Sequence, residues 1–145
     1  MKLRILGSGT SSGVPRIGND WGACDPAEPR NRRTRASALV WTRTTRVLID
    51  TSPDFREQAL AAGITDLDAV IWTHDHADHC HGIDDLRQIM HARQGEPVRG
   101  LARPFALEQL EKRFAYAFRG SKLYRPTVAI APLPEQVPHP PLWFA

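Results

Sequence analysis

The stretch Thr73-His74-Asp75-His76-Ala77-Asp78-His79-Cys80-His81 constrains this chain more than any other. Four of its six histidines fall within these nine residues, interleaved with two aspartates. Residues 67–72 before it, Leu-Asp-Ala-Val-Ile-Trp, read as a buried strand, and residues 82–90 after it open a helix. The cluster therefore sits on a loop leaving the C-terminal end of a strand, where α/β proteins place their chemistry.

Neutral imidazole and carboxylate are the usual ligands of zinc and also serve iron and manganese. His74 and His76 are two apart, so on a turning loop both can point at one ion. Asp78 and His79 are adjacent, their side chains diverge, and they reach more naturally toward a second ion. The spacing H-x-H-x-D-H thus predicts two divalent metals held by His74, His76, Asp78 and His79, with Asp78 also the catalytic carboxylate. Two ions about 3.5–4 Å apart can share a hydroxide nucleophile and clamp a phosphoryl or acyl oxygen during hydrolysis. The bland alternative is a histidine-rich surface loop, or a helix start with capping aspartates. A lone histidine would favour it; this density does not. Asp75 is either a support behind the ligands or a solvent-facing spacer, and His81 either caps or lines the helix start.

H-x-H-x-D-H after a hydrophobic strand resembles the signature of the metallo-β-lactamase-fold hydrolases. The opening Leu3-Arg4-Ile5-Leu6-Gly7-Ser8-Gly9-Thr10-Ser11-Ser12-Gly13-Val14-Pro15 is similar to the branch holding the phosphoribosyl cyclic phosphate phosphodiesterases and the tRNA 3′-processing endonucleases. With Ile49-Asp50-Thr51-Ser52-Pro53-Asp54 and His81-Gly82-Ile83-Asp84-Asp85-Leu86-Arg87, the likeness leans to the phosphodiesterase side and runs to about residue 124. It implies an α/β fold, a four-layer αβ/βα sandwich built of two similar halves with the metals at the seam. It implies zinc above manganese or iron. It also gives Asp50, at the end of a strand, the task of supporting the metal loop by hydrogen bonding; a plain turn or cap residue is the alternative for that position. Substrate-binding residues are left unassigned.

The chain has 145 residues, enough for one compact core. No run of 18 apolar residues predicts a spanning helix, and no basic-then-apolar leader precedes the first strand, so the expected setting is the cytoplasm without a membrane partner. Two cysteines, Cys24 and Cys80, do not make a disulfide framework. Some relatives carry a structural zinc on a cysteine cluster after the first strand; Cys24 alone cannot form that four-ligand site. The net charge of +3, with 16 arginines against 3 lysines, fits an anionic substrate such as a small phosphodiester and gives no strong argument for nucleic acid.

Along the chain, residues 2–7 read as a strand and the Gly-Ser run after it as a turn whose N–H groups can cradle an anion. Residues 14–34 form a long Pro/Gly/Asn/Asp loop. It ends in Arg30-Asn31-Arg32-Arg33-Thr34-Arg35, which either grips phosphate by bidentate hydrogen bonds or is a solvated loop edge. Residues 36–42 and 46–50 read as a hairpin turning at Thr44-Thr45. A helix follows, with Ser52 as N-cap, Pro53 in the first turn and Gly63 as the stop. A strand over 68–73 leads into the metal loop. A helix over 82–93 places Ile83, Leu86, Ile89 and Met90 inward. Residues 97–102 make a weak strand, and residues 105–118 a single amphipathic helix with Phe105, Leu107, Leu110, Phe114 and Phe118 apolar and Glu108, Glu111, Lys112 and Arg113 polar.

The family's remaining ligands, two histidines and a bridging aspartate, come from downstream strands. No aspartate follows Asp85, and only His91 and His139 remain. Residues 132–145 carry five prolines within the first ten positions and read as an irregular tail. The expectation is therefore an N-terminal half of the fold over residues 1–131, with an apolar face left uncovered that a homodimer would cover. Three readings follow: a metal-dependent phosphodiester hydrolase, a truncated and inactive fragment of one, and an RNA-processing nuclease of the same fold.

Overall fold

The computed structural model describes residues 1–122 and 125–131. The proline-rich tail and His139 lie outside the described residues. Those described form one six-stranded mixed sheet in the order β1-β2-β3-β4-β5-β6. The strands are β1 (Lys2–Gly7), β2 (Ser37–Trp41), β3 (Arg46–Ile49), β4 (Ala69–Trp72), β5 (Val98–Ala102) and β6 (Val128–Ile130). β2 pairs antiparallel with both β1 and β3, and β3 to β6 are parallel. As expected, the β2–β3 hairpin turns at residues 42–45, where Thr42 Oγ1 accepts the N–H groups of Thr44 and Thr45.

Helix α1 (Phe55–Ala62) ends at Gly63, whose φ of 67° is left-handed. Its start differs from expectation. Asp54, not Ser52, stands at the cap position, and its carboxylate turns away to pair with Arg35. Ser52 closes the preceding turn instead, its carbonyl accepting Phe55 N–H. After β4 comes the short α2 (Ala77–Cys80), then a 3-10 turn over Ile83–Asp85 running into α3 (Leu86–Ala92), with Ile83, Leu86, Ile89 and Met90 all buried. The single helix expected over residues 105–118 is two: α4 (Pro104–Arg113) and α5 (Ala115–Arg119), broken at Phe114 with φ −120° and ψ 41°. Phe114 and Phe118 are buried in the core, while Phe105 is 70% exposed. Beyond the break, the Ala117 carbonyl accepts Thr127 N–H, and the chain enters β6, a strand the sequence pattern did not reveal.

The helices cover one face of the sheet. There Leu39, Leu48, Val70, Trp72, Val98 and Val128 pack against Phe55, Ile83, Leu86, Leu110 and Phe118. The opposite face has no covering layer among the described residues. Because side chains alternate along a strand, the cross-strand partners Leu3↔Val40, Ile5↔Ala38, Val40↔Val47, Ile49↔Ile71 and Ile71↔Leu101 share it. Leu3, Ile5 and Ile71 are exposed on it. This is the half-sandwich the sequence suggested.

The topology also fixes where loops gather. Gly7 pairs with Ser37, Ala38 with Ile49, and Ile49 with Ile71. The end of β1, the start of β2 and the ends of β3 and β4 therefore lie at one end of the sheet. The glycine-rich loop, the arginine run, Asp50 and the histidine loop all crown that end.

Candidate metal centre

The histidine loop is held from beneath by Asp50. This residue follows the last position of β3 and takes a left-handed φ of 59°. That backbone is uncommon outside glycine and is tolerated best by Asn, Asp and His. It swings a 4%-exposed carboxylate under the β4 exit. Oδ1 accepts Thr73 N–H at 2.8 Å, while Oδ2 accepts the Thr73 hydroxyl at 2.8 Å and faces His79 Nδ1 at 2.8 Å. A buried carboxylate with three partners has little reason to leave.

This arrangement sets the histidine tautomers. Asp50 is an acceptor, so His79 Nδ1 carries the proton and its Nε2 offers a lone pair. Thr73 has one hydroxyl hydrogen and gives it to Asp50; its oxygen then accepts from His74 Nδ1, 2.9 Å away, leaving His74 Nε2 free as well. A ring nitrogen anchored by a hydrogen bond while the other faces outward is the usual preparation of a metal-binding histidine.

The loop brings its donors together. The His74 ring lies 4.5 Å from His76 and 4.1 Å from His79, centroid to centroid. Asp78 Oδ2 is 3.3 Å from His79 Nε2. Asp78 and His79, expected to diverge, thus bring these two atoms close together. Among the described residues no three such donors are already disposed as a closed metal group. The donor set nevertheless fits a divalent transition metal: three imidazoles and a carboxylate on one loop above the buried Asp50 carboxylate.

Two further contacts pin the loop. Gly82 N–H donates to Thr51 O at 3.0 Å, and a Cβ at Gly82 would stand 2.0 Å from Ser52 O, so only glycine lets the loop return this close to the β3–α1 connection. Thr51 is fully buried and accepts Trp72 Nε1–H at 2.9 Å. On the other flank Arg113, from the last turn of α4, donates to the Asp75 carbonyl and, at 3.0 Å, to its carboxylate. Asp75 is thus a clasp and not a solvent-facing spacer. His81 closes α2 and meets the Phe114 ring edge-on at 5.6 Å. Burial pushes the Cys80 thiol up, beside that clasp, and both cysteines are free. The sequence had no signal for Arg113, 38 residues from Asp75; Thr73 was readable only as the strand's last residue.

Arg35 makes a bidentate pair with Asp54, Nε to Oδ2 at 2.9 Å and Nη2 to Oδ1 at 2.7 Å. The pairing holds the Asp54 carboxyl below the usual carboxylate range. His91 is exposed on α3.

The family described as Beta-lactamase superfamily domain matches residues 45–141. A crystal structure of a diphosphatase from the PhnP family superposes with a TM-score of 0.78 at 40% identity, over 92% of this chain and 50% of that one. Zinc-bound PqqB from Methylobacterium extorquens superposes with a TM-score of 0.67 at 23% identity, over 90% of this chain and 45% of that one, a likeness of fold alone. An octanoyltransferase of Porphyromonas gingivalis is 46% identical over 120 residues, 82% of this chain and 24% of that protein. Most of that protein lies outside the match, so its name describes more than the shared segment. The chain spans about half the length of these solved structures and about a quarter of that curated relative.

Proposed function

The chain belongs to the β-lactamase superfamily, with the metallo-β-lactamase fold, and on that premise we propose that it serves metal-dependent hydrolysis of a phosphodiester or diphosphate, a cyclic ribose phosphate among the candidates. The observation that supports the reading is the Asp50–Thr73–His79 network, which anchors Nδ1 of His74 and of His79, two rings with centroids 4.1 Å apart. The likeness to a PhnP-family diphosphatase supports the choice of phosphorus over an acyl carbon.

His74, His76, Asp78 and His79 would hold the metal, of which the full fold takes two, with zinc, manganese or iron as the candidates. Bound there, the metal supplies a water ionised near neutral pH and a positive charge for the phosphoryl oxygens. The chain's own residues do the rest. Asp50 fixes the tautomers of His74 and His79 and offsets the charge gathered above it. Asp78 would add a carboxylate to that donor set. The Arg113–Asp75 clasp limits the loop's motion, so the donors are ordered before the substrate arrives.

A second reading has its own observation. No aspartate follows Asp85 in the sequence, and the chain covers half of the diphosphatase. On that reading this half binds metal without turning over substrate. Metal content separates the two. Two ions per chain, lost in His76→Ala, with hydrolysis of bis(p-nitrophenyl) phosphate, support the hydrolase. One ion or none in the folded chain sinks it and leaves the non-catalytic half. The nuclease reading has less support: human short-form tRNase Z shares the fold at 17% identity and a TM-score of 0.51. Among the described residues no helix is long and apolar enough to cross a membrane.

A further inference from the structure

Two of the three imidazoles on the loop have a ring nitrogen anchored, His74 by the Thr73 hydroxyl and His79 by Asp50. His76 lacks such an anchor. Among the described residues no hydrogen bond reaches either nitrogen of its ring, which meets His74 edge-on with centroids 4.5 Å apart. Its direction therefore comes from the backbone.

That backbone is held on both sides. The His76 carbonyl accepts the N–H groups of His79 and Cys80 at 3.0 and 3.1 Å, in the first turn of α2. On the other side, the Asp75 carbonyl accepts from Arg113 Nη1 and from the Cys80 thiol, the latter at 3.4 Å. A peptide unit is planar, so holding the Asp75 carbonyl also sets the plane that carries the His76 N–H. With both flanking peptides set, the His76 side chain keeps only its own two torsions. Arg113 Nη2 also reaches the Asp75 carboxylate at 3.0 Å. One planar guanidinium thus grips the backbone and the side chain of the same residue.

Arg113 is itself held in place. It ends α4, and the next residue, Phe114, is buried with its ring 5.6 Å from that of His81. Beyond it the Tyr116 hydroxyl pairs with the Asp84 carboxylate. The α4–α5 junction therefore braces the histidine loop at Asp75 and His81, and the turn beyond it at Asp84. The side chains of Arg113 and Asp75 are 40% and 22% exposed, and ion pairs open to water add little to stability. What this pair fixes is the position of the loop backbone.

Resting on the metal-centre reading above, we propose that Arg113 is the positioning residue of His76: through the Asp75 peptide it does for that histidine what Thr73 and Asp50 do for His74 and His79. Charge and position predict opposite signs here. A guanidinium repels a nearby cation, so on charge alone Arg113→Ala would tighten metal binding. A positioning role demands that it weaken, and removing a group that orients a metal ligand typically costs roughly 10–100-fold in affinity.

The test uses the full chain. Zinc affinity is measured against a competing chelator, and backbone motion is measured by NMR relaxation on the metal-free chain. Arg113→Ala is expected to weaken zinc binding by about tenfold or more while leaving the urea midpoint nearly unmoved. In the metal-free chain it should raise the fast motion of residues 75–77 and leave Thr73 and His79 as ordered as before. Arg113→Lys, which keeps the charge but not the fork, should fall between the two; should Arg113→Ala fold poorly, the lysine variant carries the test alone. Zinc binding that is unchanged or tighter in a folded variant, or residues 75–77 as ordered as in the wild type, overturns the proposal. A wild-type chain that takes up no zinc, with a variant that loosens at residues 75–77, sinks the hydrolase and spares the positioning role. Zinc uptake and phosphodiester hydrolysis that are indifferent to Arg113 do the reverse.

Discussion

The two faces of the sheet are written in nearly the same alphabet and meet different fates. On one, Leu39, Leu48, Val70, Trp72 and Val98 lie under helices with almost no exposure. On the other, Leu3, Ile5, Val40, Val47, Ile49, Ile71 and Leu101 run in register across five strands with no layer over them among the described residues. A strand that is apolar on both faces belongs to a sheet buried on both faces. The difference teaches that composition marks a surface as fit for burial, while only the arrival of another element buries it. It also agrees with a chain that covers half of the diphosphatase it resembles.

Substitution can break that comparison. Leu48 has no exposure, so Leu48→Ala should cost about 3 kcal/mol by removing buried methyls and leaving a cavity. Ile71→Ala, on the open face, should cost less than about 1 kcal/mol. Urea unfolding of both variants gives the answer. An Ile71→Ala loss as large as that of Leu48→Ala would mean that something covers the open face in solution.

Gly100 sharpens the picture of the covered side. A Cβ there would fall 2.5 Å from Val128 Cγ1 and 2.8 Å from Trp72 Cζ3. Gly100→Ala should therefore destabilise by about 2 kcal/mol through overpacking, whereas Ala129→Ser, exposed on the other side, should leave the unfolding midpoint almost unmoved. A neutral Gly100→Ala would show that the Trp72 packing is looser than described.

The open face predicts association more than stability. Exposed apolar patches of this extent favour self-association, so the chain should sediment above its monomer mass as concentration rises. Leu3→Lys/Ile71→Lys should return it toward monomer while moving the thermal midpoint by only a few degrees. A wild-type chain that stays monomeric at every concentration would show that the face is less adhesive than its composition suggests.

The smallest effect is expected at the end of the sheet. Arg35 depresses the Asp54 carboxyl, so the pair adds stability above the unfolded value near 3.8 and loses it as pH falls through the lower folded value. Below neutral pH the wild type should lose stability more steeply than Asp54→Asn in the range from about pH 4 downward. Parallel curves for the two proteins would remove Asp54 from the acid response.

Much of this was readable in the sequence because it is local. Alternation in residues 2–7, 36–42 and 46–50 gave strands; Gly63 gave the end of α1; the dense histidines gave the loop. The single helix expected over residues 105–118 failed for a tertiary reason. The chain breaks at Phe114, which lies with Phe118 in the core, whereas Phe105 is 70% exposed because at about 100° per residue it falls on a different face of a helix from Phe118. β6 was missed because three residues in an edge position carry too little pattern.

The chain by itself determined that a strand must deliver four histidines and two aspartates to one loop, since spacing along a backbone is fixed by covalent geometry. It also determined that both faces of the strands would be apolar. Tertiary structure decided what no spacing contains. It chose which apolar face the helices took, brought Asp50 beneath Thr73 and His79, drew Arg113 across 38 positions to Asp75, and laid the arginine run against the glycine loop. Those contacts join residues distant in sequence, and they exist because packing one layer onto a sheet leaves each buried polar group a single place to find its partner.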